Sequence, residues 1–447
     1  MLVKRLLAIS GFLCIAGLLT AASGQDAGGG GGAGGDATQR YFNIRTGPVY
    51  VTLTAQTTTE FVDNVNLSSG IDTPIKQDLI FSPSFGINAI SELQLHPLSE
   101  TNTTTMGLSM NFGYREHILQ PALNQKIFDI NISPDSEFSF LVRIGHFKIR
   151  LHDGFALQSD PVTDGALSNV AVFRRFTNAA GVNVEWDVNS DTLVNLAYTH
   201  TNVYALDLVT LGNSGTSSNL STSNITNSTD ALSLMASTKI IPELTVGWGA
   251  NVAATSFPGA PQQDSTTYSY GPFASLHLSQ FTTLNASCGI SKSEPGNVFT
   301  GSNTANNNGS NSTSNYANVS LTNQLNTYYT QTLSAGREIA LDLVGTQTSD
   351  NYLRYSSVWK MNAHISLNFN AFAEDISNAG TPNNNLLSLQ SNVQSDYRRY
   401  GGGVGTSLRL SKKLTTSLNY RYVQKVTGDP LLCYKQNDII WTVSYSF

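Results

Sequence analysis

Apolar and polar residues alternate along most of the chain from Pro48 to the carboxyl terminus. In residues 49–56 every second side chain is apolar, and the same period of two returns in segments such as 182–188, 244–252, 365–371 and 439–447. Such segments are typical of β-strands with one face in an apolar environment. Beyond the first 24 residues, no apolar run is long enough for a transmembrane helix. The pattern therefore predicts an all-β protein.

The links between these segments alternate in length. Short links such as 133–136, 189–191 and 411–413 take turns with long ones such as 152–177 and 375–395, which are mostly rich in Asn, Ser, Thr and Gly. A transmembrane up-and-down antiparallel β-barrel has this arrangement, with short periplasmic turns and long external loops, whereas a β-sandwich has no reason to segregate its loop lengths. Counting strands in this way predicts about 18. Sixteen is the alternative, because residues 92–104 and 164–177 are weakly patterned.

The large aromatic residues support the barrel, because all four Trp fall on the apolar phase of their strands. Transmembrane barrels carry one girdle of aromatic side chains at each interface. We expect the girdle near the short turns to contain Trp186, Trp248 and Trp359. The girdle near the long loops is expected to contain Tyr114, Tyr268, Tyr270, Tyr355, Tyr397 and Tyr422.

The amino-terminal region divides into two parts. Residues 1–24 have a short basic start, an apolar run and a small-residue Ala22-Ser23-Gly24 site, which together predict a cleaved signal peptide. Residues 25–47 are predicted to be a Gly-rich flexible segment, and residues 48–447 the barrel. Export and a membrane barrel together predict an outer-membrane location.

The amino-acid composition and the absence of complete motifs argue against several classes of function. Only 13% of the residues are charged, and 25 Lys and Arg stand against 31 Asp and Glu, so the chain lacks the basic excess that nucleic-acid binding needs. No hydrolase, nucleotide-binding or metal-ligand motif is complete. We therefore expect neither an enzyme nor a bound cofactor or metal.

Charged residues opposite the apolar phase are expected to face a water-filled lumen, because Arg or Lys at mid-depth in lipid costs about 2–4 kcal/mol each. Lys148 and Arg150 join them if a bulge near Gly145 resets the phase. The predicted pore-lining residues are Arg143, Lys148, Arg150, Asp129, Glu185, Asp187, Arg354, Glu374, Arg409 and Arg421.

Two motifs carry a resemblance to known proteins. Residues 60–65 (Glu-Phe-Val-Asp-Asn-Val) resemble the start of a family of outer-membrane β-barrel porins, some of which accompany exopolysaccharide or exosortase systems. The last strand, with Trp441, Tyr445 and Phe447 on one face, resembles the terminal strand that barrel-assembly machinery reads as a signal. The resemblance implies a Gram-negative outer membrane, with lipid and the assembly machinery as partners, and gives neither a solute nor an oligomeric state.

Two functions fit the sequence. The first is a porin-like channel for passive diffusion of small hydrophilic solutes. The second is a surface-display or exopolysaccharide-secretion barrel whose long loops bind a glycan or a partner protein. A plugged lumen would favour the second and an open lumen the first.

Overall fold

The computed structural model describes residues 44–93, 104–124, 130–209, 211, 222–295, 312–343, 347–378 and 396–447. The predicted signal peptide, most of the Gly-rich segment and Asp129 lie outside these ranges. In the described residues, no helix is long and apolar enough to cross a membrane.

Eighteen of the described strands form one closed antiparallel barrel, which confirms the predicted fold and strand number. Each strand pairs with the next one along the chain, and the last strand returns to the first. The barrel strands are β2 (Val49–Val62), β3 (Asp78–Leu93), β4 (Thr104–Tyr114), β7 (Glu137–Ile144), β8 (Phe147–Gln158), β9 (Val172–Asp187), β10 (Thr192–Val209), β11 (Asn227–Ile241), β12 (Leu244–Ser256), β13 (Ser265–Ser279), β14 (Thr282–Pro295), β15 (Ser312–Asn326), β16 (Tyr329–Leu341), β17 (Gln347–Lys360), β18 (Ile365–Asn378), β19 (Tyr397–Arg409), β20 (Leu414–Val426) and β21 (Tyr434–Ser446).

Among the described residues, shorter elements lie at the ends of the barrel. Three are strands, β1 (Ile44–Thr46), β5 (Glu116–His117) and β6 (Ile130–Ile132), and one is a single helical turn, α1 (Thr222–Ile225). Three 3₁₀ turns begin at proline: Pro121–Leu123, Pro261–Gln263 and Pro430–Leu432. β1 begins at Ile44, four residues before the expected boundary at Pro48, and pairs with the start of β2.

One predicted turn is wrong. The chain reverses at the short-turn end at residues 145–146, between β7 and β8, and residues 133–136 lie instead at the long-loop end, between β6 and β7. Gly145 has a φ of +56°. Tight hairpin turns require a positive φ of this kind, which residues other than glycine rarely adopt. The expected bulge at Gly145 is therefore a complete hairpin turn. The long link expected at 152–177 is also shorter, since β8 extends to Gln158 and β9 begins at Val172.

The outer face of the barrel is apolar and aromatic. Large side chains such as Leu151, Leu196, Leu232 and Val404 are exposed on it. All four Trp are 42–53% exposed. A closed barrel satisfies its own backbone hydrogen bonds, so that an apolar exterior can face hydrocarbon. An outer-membrane location follows from this fold.

The aromatic girdles differ from expectation at two positions. Tyr355 lies in the half of β17 nearer the short turns, where its hydroxyl is 3.2 Å from the hydroxyl of Tyr329. Tyr397 is at the long-loop end, but it packs inward against the buried cluster around Leu167. The apolar period could not separate these positions, because an aromatic ring is accepted both at the interface and against an interior loop.

The packed core sits inside the barrel, at its long-loop end. It is built from loop side chains such as Val65, Leu67, Leu167 and Val170, which are buried against inward residues of the strands. The wall near the short turns has no such cover among the described residues, and its inward side chains are mostly half-buried or exposed.

The motif at residues 60–65 closes the barrel seam. Asp63 accepts two hydrogen bonds from Asn437 on β21, at 2.7 and 2.6 Å. Asn64 donates to the backbone carbonyls of Lys435 and Ser68, at 2.8 and 2.9 Å, and so ties β21 to the following loop. The resemblance to porins therefore falls on residues that join the first and last strands.

Candidate functional site

The described pore-lining candidates lie on the strand face opposite the exposed apolar side chains. Arg143 and Arg409 are exposed, and both lie at or next to the short-turn end of their strands. Lys148 forms ion pairs with Glu185 and Asp187, and Arg150 forms one with Glu137. These residues form a charged patch on the inward face of β7, β8 and β9.

A second charged group lies on the opposite wall, and we call it the charged wall: Glu338, Asp350, Arg354, Glu374 and Arg399. The Arg354 guanidinium lies within 3.0–3.2 Å of the carboxylates of Glu338, Asp350 and Glu374. The other oxygen of Glu374 lies 3.2 Å from Arg399. The cations are further held by aromatic faces, because Arg354 stacks over Tyr352 at 4.2 Å and Arg399 over Phe372 at 5.2 Å.

Residues 159–171, here called the inner loop, fold from β8 and β9 into the barrel. The loop reaches β20, which is separated from β8 along the wall by β7, β4, β3, β2 and β21. It therefore crosses the lumen. Its apolar residues make this packing favourable: Val162 contacts the cluster of Val423 and Tyr434, while Leu167 and Val170 are fully buried.

Polar contacts fix the far side of the inner loop. Lys425 on β20 is completely buried, and its Nζ donates to the carbonyl oxygens of Ala166 and Leu167 and to the Ser168 hydroxyl, at 2.8, 3.3 and 3.1 Å. The same ammonium lies 4.8 Å from the centre of the Tyr397 ring. Ser168 in turn donates to the carbonyl oxygen of Leu432, at 2.7 Å. These contacts hold the inner loop against the wall of the barrel.

Two acids of the inner loop face wall cations. Asp160 lies 3.6 Å from Arg421, and Asp164 lies 2.9 Å from Arg175. Burial alone would raise the pKa of Asp160, but the charges of Arg421 and Arg115 outweigh it and hold the pKa below its ordinary value. Burial raises the pKa of Asp164, and the nearby Arg175 only partly opposes that effect.

Arg421 joins the inner loop to the barrel seam. Its guanidinium lies 2.5 Å from the carboxylate of Asp438 on β21 as well as near Asp160. Arg421 and Asp438 are direct cross-strand partners in the register of β20 and β21. Close by, Arg115 pairs with Glu60 at 3.3 Å.

The inner loop leaves a cavity of about 260 Å³ beside the charged wall. Polar and charged residues make up half of its lining, and the other half is apolar, aromatic or glycine, such as Val162, Phe372 and Val423. The lining includes Thr332, Ser334, Arg354, Ser356, Asn368, Asn370, Glu374, Arg399, Asn419 and Arg421. A space of this volume, lined in part by charged side chains and next to a narrowed lumen, can pass or hold a small hydrophilic molecule.

Glycines on β19 shape this cavity. Inward side chains are missing at positions 401, 403 and 405, and the amides of Asn368, Asn370 and Asn419 together with the Phe372 ring occupy the space that Cβ atoms would take. The amides therefore lie against the backbone of β19. As a result, the side chains of the wall project less far into the lumen where the inner loop faces them.

Sequence reasoning missed several residues of this site: Glu338, Asp350, Arg399, Lys425 and Asp438 on the wall, with Asp160, Asp164 and Arg175 at the inner loop. Arg399 could have been predicted from the sequence, because it shares the inward phase of Gly401 and Gly403. Lys425 had no such signal, since its partners are two backbone carbonyls and a serine hydroxyl more than 250 residues away. Within the described residues, no group of three or more His, Cys, Asp and Glu side chains could hold a metal ion.

Comparison with known proteins finds similarity in structure. No protein-family model matches the sequence. No curated protein matches it either. A BenF-like porin from Pseudomonas fluorescens Pf-5 superposes with a TM-score of 0.50 at 9% identity, over 89% of this chain and 99% of that one. Pseudomonas aeruginosa OccK2 (OpdF), solved with glucuronate, and Pseudomonas aeruginosa OpdK, solved with vanillate, give TM-scores of 0.49 and 0.45, each at 8% identity over 89% of this chain and 98% of theirs. The chain thus has the fold of an outer-membrane porin, as its sequence resemblance implied.

Proposed function

We propose that the protein is a channel that lets small hydrophilic solutes diffuse across the outer membrane through a constriction between the inner loop and the charged wall. The observation that carries this proposal is the 260 Å³ cavity lined by charged and polar side chains beside the inner loop. A barrel that served only as a scaffold would have no need of a cavity lined by paired charges inside its lumen. The inner loop narrows the lumen, and the cavity beside it has room for a small hydrophilic solute.

The constriction carries both signs of charge. Arg354, Arg399 and Arg421 each lie beside carboxylates, so a solute passing them meets paired ions that can exchange partners. Charged groups at a narrow point act at short range, where salt screens them little. The external loops on which the surface-display hypothesis depended lie largely outside the described residues.

Purified protein in planar bilayers tests the proposal. We expect discrete single-channel steps, and swelling of protein-loaded liposomes in small sugars at a rate that falls steeply with sugar size. Asn370→Trp should lower conductance several-fold, because its side chain lines the cavity. Ala373→Trp, on the outward face of the same strand and outside the cavity lining, is the matched control and should leave conductance unchanged. Folded protein without channel steps, or equal effects of both variants, would contradict the proposal.

A further inference from the structure

The apolar outer face of the barrel is interrupted on strands β8 to β11. Asp153 on β8 pairs in register with Ala180 on β9, Ala180 with His200 on β10, and His200 with Asp230 on β11. These four residues, here called the polar row, share the outward phase of exposed neighbours such as Leu151, Leu196 and Leu232. Asp153 and Asp230 are both exposed.

The polar row lies between two outward aromatic pairs. Phe147 stacks on Trp186 towards the short turns, and Phe176 stacks on Tyr204 towards the long loops. Trp186 is ten positions beyond Phe176 on β9. At about 3.3 Å per residue on a strand tilted by about 40°, the pairs are about 25 Å apart, which is the height of the apolar band of an outer-membrane barrel. Ala180 falls between them, so Ala180 and its partner Asp153 lie at the depth of the lipid chains.

Hydrogen bonds within the barrel satisfy the polar row only in part. Asp153 accepts one bond from the Asn178 amide, at 2.5 Å. Asp230 accepts bonds from the Tyr198 hydroxyl and from His200 Nδ1, at 2.6 and 2.8 Å. Asp153 therefore has one side-chain hydrogen bond for two carboxylate oxygens. In hydrocarbon this carboxylate would have no further partner, which is costly.

We infer that this face binds a second copy of the chain, through a two-fold axis parallel to the membrane normal that passes in front of Ala180. Two copies inserted by the same route have the same orientation, so their contact must relate equal depths of the barrel. On one side of Ala180 the polar row carries Asp153, and on the other it carries His200 and Asp230, the two being held together by a hydrogen bond from His200 Nδ1. A two-fold contact sets unlike sides against each other, as an isologous interface requires.

In this dimer Asp153 of each copy faces the Tyr198–His200 edge of the other. The Asp153 carboxylate gains the Nε2–H of the other copy's His200 in its imidazolium form, whose Nδ1–H remains on Asp230, and the two-fold axis repeats this contact. Ala180 at the axis is small enough for the two walls to approach closely. Lipid chains would offer none of these partners, and a different protein would have to supply donors and acceptors at matching depths.

The first test measures the mass of the folded protein extracted in mild detergent. We expect wild type to be a dimer by native mass spectrometry, and Asp153→Leu to be a monomer with the same channel conductance and the same heat-modifiable band on a gel. Asp375→Leu is the matched control, because Asp375 is another outward aspartate but pairs with Arg398 on its own barrel. That variant should remain dimeric. A monomeric wild type, or an Asp153→Leu dimer, would overturn the inference.

The second test locates the axis in intact membranes. In a Cys288→Ser, Cys433→Ser background, Ala180→Cys should form a disulfide-linked dimer on mild oxidation, and Ala371→Cys on β18 should not. Cross-linking at both positions, or at neither, would place the contact elsewhere. Attachment of Ala180→Cys to a protein of different mass would show a different partner. The dimer is detected by mass and by cross-linking, not by conductance, so the inference and the proposed function fail independently.

Discussion

Lys425 Nζ lies 2.8 Å from the carbonyl oxygen of Ala166, a residue 259 positions earlier in the chain, and this contact holds the inner loop against β20. The ammonium group is completely buried, and its three hydrogen bonds all go to the inner loop. A buried cation is costly unless its hydrogen bonds are satisfied. The packed position of the inner loop and the burial of Lys425 therefore require each other.

Replacing Lys425 with Met should free the inner loop. Met keeps most of the side-chain volume but leaves the Ala166 and Leu167 carbonyls without a donor, which costs about 1–3 kcal/mol per buried group. We expect single-channel records with a higher mean conductance and more open-state noise than wild type. Lys412→Met, at the exposed turn before β20, removes the same charge far from the inner loop and should behave like wild type. Identical records for both variants would show that the loop stays in place without Lys425.

Acid should strengthen the packing of the inner loop through Asp164. Its pKa in the packed loop is raised by burial above the ordinary value of 3.8, so the packed loop binds this proton more tightly than a detached loop does. Stabilisation from Asp164 is therefore complete below the ordinary value and is lost as the pH rises through the raised pKa. We expect noise from the inner loop to decrease as the pH falls from about 7 to about 4.5.

Asp164→Asn is the variant that checks this pH effect, because an amide cannot titrate. Its noise should change less over the same pH range than that of wild type. Asp160 has the opposite sign: its pKa lies below the ordinary value, so its ion pairs with Arg421 and Arg115 stabilise the packed loop above that value and are lost in stronger acid. Noise that rises continuously with acid in wild type would contradict the role given to Asp164.

Two glycines that pair in register should respond differently to a methyl group. A Cβ on Gly271 would overlap the backbone carbonyl of Cys288 and the Cα of Gly289, whereas a Cβ on Gly249 meets nothing within 4 Å. Gly271→Ala should therefore lower the free energy of unfolding by about 1–3 kcal/mol, as overpacking does. Gly249→Ala should change it by less than about 0.5 kcal/mol. Urea titration of the barrel in lipid vesicles measures both, and equal midpoints would refute the close approach.

The barrel was predictable from the sequence because its signals are local and repeated. Each strand, such as β12 or β18, shows its own period of two, and the closed sheet follows once lipid contact is inferred from the pattern. The one misplaced turn, at residues 133–136, arose because a Ser-Pro-Asp-Ser segment has strong turn chemistry at either end of a barrel. Gly145, which makes the true turn, was interpreted as a bulge.

The candidate site was predictable only in part, because its contacts join distant parts of the chain. Arg354, Glu374 and Arg421 were placed in the lumen by their phase alone. Nothing local indicated that residues 159–171 fold inward, since Val162, Leu167 and Val170 lack the regular period of a strand. The carboxylate partners of each arginine depend on strand register and on the inner loop, and neither is written in a short segment of sequence.

The final residue should matter for assembly of the barrel. The Phe447 N–H donates to the Leu53 carbonyl on the first barrel strand, at 3.1 Å, and its ring meets Tyr445 edge to face at 5.2 Å. Deleting Phe447 removes a hydrogen bond at the seam together with an outward aromatic ring. We expect a lower yield of the heat-modifiable folded form in cells. Phe281→Ala, which removes an exposed aromatic ring at another short turn, should leave the yield unchanged, and equal losses would make Phe447 an ordinary lipid-facing residue.

Glu374 should set the sign of charge that the constriction prefers. Its two oxygens bind Arg354 and Arg399, at 3.0 and 3.2 Å, and it lines the cavity beside the inner loop. Glu374→Gln removes one negative charge there and leaves both guanidiniums with less compensation. We expect the reversal potential in a salt gradient to move towards anion selectivity. Asp375→Asn removes the same charge at the next residue, but on the outer face near the long-loop end of β18, beside Arg398 and away from the lumen. That control should leave the reversal potential unchanged, and equal shifts in the two variants would mean that permeating ions do not pass the charged wall.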